Sequence, residues 1–491
     1  METLFKAPAC LAGKVCTPEQ AAGLIPEHGV VAASGYTAAG DPKATLLALA
    51  ARGRAGEIHK IDLITAAQLS GEVENALAEA GILDRRAPFT VSGAVRRLAN
   101  LRQIRYVEAA MGKMPRVFAA GSFGVPDVAV VEAMGLDEDG RMIPTTSVGM
   151  TQLMCQKAGR IIVELNTAQP ELLCGVHDVY ESPCHTGAVL RSAGERVGRP
   201  WIQVDLNKVE AVVFSHQTDA PTAPAEPDET ERAVCEQLMG FLERTFPGQR
   251  LPPIQTGIGS LSKAILAGFR GSRYRDLTFF CGALQAEMVG LLAEGKAEVL
   301  SGGSVPTDPE TLELLRGFGP GLRERLVLRS MEVCNGSAAV GGLGVLALNT
   351  GIEMDLFGNV NSSHIGGTRL VNGIGGGAAF AANAGLSVML MPSTRKEGRI
   401  SCFVPHTPHV DVIHHDVDVV ISEYGVADLR GLDDVECARL ILQNCAHPDY
   451  RAGLEQSLER ALAGGGHHPL SLDGAFAWQE QFLRSGTMPG G

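Results

Sequence analysis

Several protein classes are excluded by what this sequence lacks. No run of about 18 apolar residues occurs, so no membrane-spanning helix is expected. The opening METLFKAPACLAG has no apolar core long enough for a secretory signal, and a reduced, cytoplasmic enzyme is the expectation. The eleven cysteines are scattered, without a CxxC pair or metal-ligand spacing, which argues against zinc and iron–sulfur centres; no metal is expected. Positive charge is in deficit, 42 Lys and Arg against 55 Asp and Glu, net −13. Neither nucleic acid nor an anionic membrane is therefore expected as a general partner, although a local basic pocket for a phosphorylated cofactor is compatible with that balance. What is present is ordinary for a soluble globular chain: 45% hydrophobic and 20% charged residues over 491 positions, enough for two or three domains.

Short apolar runs alternate with helical patterns, which implies parallel strands joined by crossover helices. In the first part, strands are expected at Gly29–Ser34, Ile61–Thr65, Val117–Ala119, Val128–Val131, Ile161–Glu164 and Ile202–Val204. Helices are expected at Pro42–Ala51 and near Val73–Ala80, and Arg96, Arg97 and Arg102 are read as a solvated helix face. Between His216 and Glu229 the composition shifts to HQTDAPTAPAEPDE, with Pro221, Pro224 and Pro227. Proline fixes φ and removes a donor, so 217–229 reads as an extended linker between a domain at 1–216 and another at 230–491. Beyond it, Gly257-Ile-Gly259 precedes a helix, Leu261–Gly268, with Ser260 as N-cap. Asp276–Cys281 reads as a strand that turns at Gly282 into a helix, Ala283–Glu294, and such strand-to-helix turns are where open α/β sheets place their chemistry. Met389 and Met391 are read as core, and the tail from Leu432 to Ser485 as mostly helical.

The stretch Asp355–Gly377, DLFGNVNSSHIGGTRLVNGIGGG, ends in a glycine run ahead of a helix-forming segment. Backbone without Cβ atoms lets a ligand approach the amides closely, and successive N–H groups at a helix start suit an anion or oxyanion. His364 is read as a hydrogen-bonded loop residue, His409, His414 and His415 as structural, and Glu423 as a partner of Arg430 or a neighbour.

The chain resembles the acetyl-CoA hydrolase/transferase family of class I coenzyme A transferases, nearly end to end. The resemblance runs through Gly35–Lys43 (GYTAAGDPK), Ile143–Gly149, Val163–Pro170, Gln255–Gly259, Asp355–Gly377, Pro392–Ser401, Glu423–Gly431, Asn444–Arg451 and Ser485–Met488. It implies two similar open α/β domains with the active site in the cleft between them, a homodimer, and acyl-CoA and carboxylate as substrates. It also implies site residues: Asn335 as the amide that polarises the substrate oxygen, Gly376 as a backbone donor to the same group, the Gly257-Ile258-Gly259 loop beside the thioester, Gly375–Gly377 and Lys396 facing the CoA moiety.

In that family a glutamate at a strand-to-helix turn attacks the thioester carbonyl and becomes a glutamyl-CoA thioester. The matching stretch is Phe280-Cys281-Gly282-Ala283-Leu284-Gln285, and the glutamate position is Gly282. Glycine offers no nucleophile. Four readings stay open at this point: CoA transfer or acyl-CoA hydrolysis by a route without glutamyl-CoA, acyl transfer through a Cys281 thiolate at a helix N-terminus, a non-catalytic binder of CoA thioesters, and a glutamate supplied from elsewhere in the partner domain. Installing the carboxylate, Gly282→Glu, is expected to restore ordinary transferase activity.

Overall fold

The computed structural model describes residues 4–220 and 224–489. Pro221 of the proline-rich linker lies outside the described residues, as do residues 1–3. The chain forms two compact units, Met1–Ala223 with Asp276–Leu343, and Pro224–Arg275 with Gly344–Gly491.

The first unit is built on a sheet whose spatial order is Val15–Cys16, Val209–Ser215, Arg160–Asn166, Val128–Ala133, Val30–Ala33, Ile61–Thr65, Leu83–Ala87, Arg105–Tyr106. Every neighbouring pair in it is parallel. Strands of such a sheet are covered on both faces, which is why Val128–Ala133 reads VAVVEA and is buried throughout. Two expected strands are placed differently. Val117–Ala119 falls in the helix Met114–Ala119, opened by Pro115, because a three-residue apolar run carries no period that separates strand from helix. Ile202–Gln203 pairs antiparallel with Arg141–Ile143 in a small separate sheet.

The same unit contains four further parallel strands, His177–Asp178, Leu326–Arg329, Ala297–Gly302 and Leu277–Phe280. Residues 276–343 thus belong with the first unit, which a single split at 217–229 does not anticipate. A buried guanidinium is one of the ties. Arg329 is fully buried and pairs with Asp178, while its remaining N–H groups donate to Ser301 Oγ (2.7 Å) and to the carbonyls of Ala193 (2.7 Å) and Glu195 (2.6 Å). A buried charge is tolerated only with its donors satisfied, so this segment is tied to residues 178–195.

The second unit has parallel strands Ile254–Thr256, Leu346–Thr350, Leu386–Leu390 and Val419–Ser422, with Gly425–Asp428 folding back antiparallel. Met389 and Met391 are in its core, and its tail supplies the helices Asp434–Asn444, Pro448–Ala463 and Ala477–Ser485. Among the described residues no helix is long and apolar enough to cross a membrane.

A buried charge cluster holds the loop that follows Val30–Ala33. The helix Lys43–Arg54 begins after Pro42, which has no side chain to cap it. The Glu164 carboxylate does so instead, accepting from the amides of Ala44 (3.1 Å) and Thr45 (2.9 Å). Beside it the Lys43 ammonium lies 2.5 Å from Asp219, 3.4 Å from Asp41 and 3.6 Å from Glu132. Burial outweighs the attraction of Lys43 for Glu132, and Asp219 and Glu164 add repulsion, so the Glu132 carboxyl is pushed up to about 8. Lys43→Met leaves the buried carboxyl groups of Asp41, Asp219 and Glu132 without a cation and should lower stability by about 3–5 kcal/mol in urea unfolding; a loss under about 1 kcal/mol would show the cluster to be dispensable. Because Glu132 holds its proton more tightly folded than unfolded, its contribution is full below about pH 4.5 and is lost as pH rises through about 8. Glu132→Gln should flatten that part of the stability-against-pH curve, and an unchanged slope would count against this assignment.

Candidate active site

The strand Leu277–Phe280 does not pass straight into a helix. Its backbone continues pairing through the turn: the Cys281 amide donates to the Ser301 carbonyl (2.9 Å), the Gly303 amide to the Gly282 carbonyl (2.8 Å), and the Leu284 amide to the Ser304 carbonyl (3.0 Å). The helix starts only at Ala286, with Gln285 as its cap. Cys281 therefore precedes the helix cap by four residues rather than standing at the helix N-terminus, and it is fully buried. Gly282, between buried Cys281 and buried Ala283, is half-buried and is the point of the turn that solvent reaches.

Two side chains converge on Gly282. Asn335 terminates the short helix Met331–Cys334 and is 1% exposed. Its Oδ1 accepts from the Tyr36 hydroxyl (2.7 Å) and from the Cys334 thiol (3.2 Å). Its Nδ2 is buried without a hydrogen-bond partner among the described residues. An orphaned buried donor is costly, so an amide left in that state is a candidate for receiving a ligand's oxygen. A Cβ placed on Gly282 would lie 3.0 Å from the Tyr36 hydroxyl and 3.3 Å from Asn335 Nδ2.

Tyr36 is the residue that reasoning from sequence passed over. Its loop is strained: Gly35, Thr37, Ala38 and Gly40 have φ of 119°, 55°, 62° and 70°. Left-handed backbone at two consecutive non-glycine residues persists only where the surroundings impose it. Here they do: Ser34 Oγ donates to the Gly40 carbonyl (3.0 Å), Ser147 Oγ to the Ala39 carbonyl (2.8 Å), and the Thr37 hydroxyl meets Ser304 Oγ at 2.5 Å. The Gly35-Tyr-Thr-Ala-Ala-Gly40 motif was the visible signal, but nothing in it says which way the ring turns. Burial, with the Cys334 thiol nearby, raises the Tyr36 hydroxyl well above its ordinary range, so it is a neutral donor. Burial likewise pushes the Cys334 thiol up to about 12.

The other expected site residues lie in the second unit. The Gly257 amide donates within the sheet, to the Leu348 carbonyl (3.3 Å), and Ile258 stands 57% exposed beside it. Gly259 (φ 144°) caps the helix Ser260–Gly271; Ser260, expected in that place, is the first helical residue and donates to Glu231 (2.6 Å). Gly375 has φ 59°, and Gly376 is the cap of the helix Gly377–Ala381. A Cβ on Gly377 would crowd Asn349 Oδ1 at 3.2 Å. Lys396 is exposed in a tight turn at φ 51°, with its ammonium 5.4 Å from the centre of the Phe482 ring. His364 shares a hydrogen bond with Ser363 Oγ (2.8 Å), His409 pairs with Asp411 (3.1 Å), and His414 with Asn359 (3.2 Å). Glu423 accepts from the Ser393 amide (2.8 Å) and hydroxyl, while Arg430 takes Asp428 (2.6 Å), two residues away and presented by the same hairpin.

Comparison with known proteins identifies the family and the fold. Residues 11–213 match the family model for the acetyl-CoA hydrolase/transferase N-terminal domain, and residues 321–458 match that for the C-terminal domain. The chain is 36% identical over 485 residues to succinyl-CoA:acetate CoA-transferase of Clostridium kluyveri, covering 97% of this chain and 90% of that one. It is 33% identical over 480 residues to acetyl-CoA hydrolase of Schizosaccharomyces pombe, covering 93% and 92%. In fold it is similar to the crystal structure of RipA from Yersinia pestis, with a TM-score of 0.71 at 20% identity over 92% of this chain and 98% of that one.

The thiols give a direct check of the turn. Cys10 and Cys184 are exposed, whereas Cys281 and Cys334 are fully buried. A thiol reagent on the native protein should modify Cys10 and Cys184 and spare Cys281 and Cys334 until denaturant is added. Rapid native labelling of Cys281, read by peptide mass, would return the thiolate reading to consideration.

Proposed function

Because the chain belongs to the acetyl-CoA hydrolase/transferase family, we propose that it cleaves short-chain acyl-CoA thioesters with an oxygen nucleophile that is not attached to the protein. The observation that carries this reading is the buried, unpartnered Asn335 Nδ2 beside Gly282, which is half-buried and has no side chain. An amide donor fixed in a site shielded from water stabilises the negative charge that develops on a thioester oxygen as the carbon becomes tetrahedral. At the position that the family resemblance gives to a glutamate, this chain brings the nucleophile in with the substrate.

With a carboxylate acceptor, one of its oxygens attacks the thioester carbon, the C–S bond breaks, and an acid anhydride and CoA thiolate form. The thiolate then attacks the acceptor's carbonyl carbon, the C–O bond breaks, and the donor acid leaves as its carboxylate. With water as nucleophile, the C–S bond breaks in the same way, and the products are the free acid and CoA, the thiolate taking up the proton released. Neither path needs a redox partner. In the same reading the Gly257–Gly259 loop, the Gly375–Gly377 amides and Lys396 serve the CoA moiety, and Gly376 supplies the backbone donor, as the resemblance assigns them.

Acetyl-, propionyl- and succinyl-CoA should each be tested with and without a carboxylate acceptor. Free thiol without acceptor reports hydrolysis, and a new acyl-CoA reports transfer. Transfer should show intersecting initial-rate lines, because both substrates must be bound together; parallel lines with an acyl or CoA adduct on the protein would contradict the reading. Asn335→Ala should lower kcat by about 10²- to 10³-fold with the fold intact. Tight binding without any turnover would make the protein a binder of CoA thioesters rather than an enzyme.

A further inference from the structure

We propose that Tyr36 is the positioning residue of this site: its hydroxyl fixes the Asn335 amide with Nδ2 turned to the substrate, and it crowds any side chain placed at position 282. The inference rests on the reading of Asn335 as the donor to the thioester oxygen.

Three observations converge on it. First, the direction of the Asn335 amide is chosen by two donors on one oxygen. The Tyr36 O–H and the Cys334 S–H both reach Oδ1, at 2.7 Å and 3.2 Å; the opposite rotamer would turn the N–H₂ group to them and divert the Tyr36 O–H to Met111 Sδ (3.4 Å), a weaker acceptor. The thiol is a weak donor, so the phenol supplies most of that preference. Second, the hydroxyl lies where a residue at 282 would begin. A Cβ there would be 3.0 Å from it, closer than ordinary van der Waals contact, so the hydroxyl would have to give by a few tenths of an ångström. Third, the ring is packed by another glycine: a Cβ on Gly303 would come within 3.1 Å of Tyr36 Cε1 and 3.0 Å of Cys334 Sγ. Gly282, Gly303 and Tyr36 thus form one steric unit. A carboxylate at 282 and a hydroxyl at 36 compete for the same space, so, against the expectation drawn from the sequence, Gly282→Glu alone should not install a nucleophile, whereas Gly282→Glu with Tyr36→Phe relieves the crowding.

A double-mutant cycle of Tyr36→Phe and Gly282→Ala tests this, with kcat, KM and thermal midpoint measured for all four proteins. Tyr36→Phe keeps the ring and should lower kcat about tenfold or more while KM for acyl-CoA stays within about threefold, since binding elsewhere is untouched. Gly282→Ala should lower kcat about tenfold to a hundredfold in the parent, but cost less than about threefold more in Tyr36→Phe, where the methyl takes the room of the missing oxygen. The thermal midpoint should follow the same pattern, falling with Gly282→Ala in the parent and not in Tyr36→Phe. Additive effects in kcat and in thermal midpoint would overturn the inference, and so would an unchanged kcat in Tyr36→Phe. If the parent protein itself turns over no acyl-CoA, the functional reading fails and the positioning role with it. The thermal cycle still judges the steric claim separately: coupling supports it and additivity rejects it.

Discussion

The Tyr36 ring can lie where it does only because residue 303 has no Cβ. One placed there would fall 2.8 Å from the Gly282 carbonyl oxygen and 3.1 Å from the ring itself. The Gly303 amide donates to that same carbonyl at 2.8 Å, so the turn after Leu277–Phe280 is held by backbone pairing rather than by an early helix. With the turn fixed, Gly282 is presented to solvent, the phenol is buried behind it, and the Asn335 amide is oriented by the phenol. The position of the loop that carries Tyr36 depends in turn on the Lys43 cluster. Asp219 accepts from Lys43 at 2.5 Å and from the Gly40 amide at 3.3 Å, and Asp41 accepts from the Ser70 hydroxyl at 2.7 Å. One buried ammonium surrounded by three buried carboxyl groups is stable only as a unit.

That dependence explains which features were legible in the sequence. The apolar run at Val128–Val131 announced a strand, observed at Val128–Ala133, and the tail from Leu432 announced helix, observed in Asp434–Asn444 and Pro448–Ala463. Each of these is encoded by local period. Val117–Ala119 was misread because three apolar residues carry no period, and the start of the helix at Ala286 was placed three residues early because Ala283 and Leu284 favour helix while tertiary pairing with Ser304 prevails. The Arg329–Asp178 pair, which joins 276–343 to the first unit, links residues 151 positions apart and leaves no local trace.

The site was half legible. Gly282 and Asn335 could be assigned from the family resemblance, and the structure brings them together. Cys281 looked reactive on the assumption of a helix N-terminus that lies further along the chain. Tyr36 was invisible for a different reason: its importance is in the volume it fills, and sequence spacing between residues 36, 282, 303 and 335 says nothing about shared volume. Where a strand-to-helix turn carries glycine at a position for a nucleophile, the useful question is which neighbouring side chain occupies the space, since close-packed interiors leave little of it empty.

The central claim is that a thioester oxygen accepts a hydrogen bond from Asn335 Nδ2 at the Gly282 turn. The most direct measurement is the infrared carbonyl band of a ¹³C-labelled acyl-CoA bound to the protein at low temperature. The account predicts a band shifted below that of the free thioester in water, with the shift lost in Asn335→Ala. A bound thioester whose carbonyl band matches that of the free compound, or whose shift survives Asn335→Ala, would contradict it.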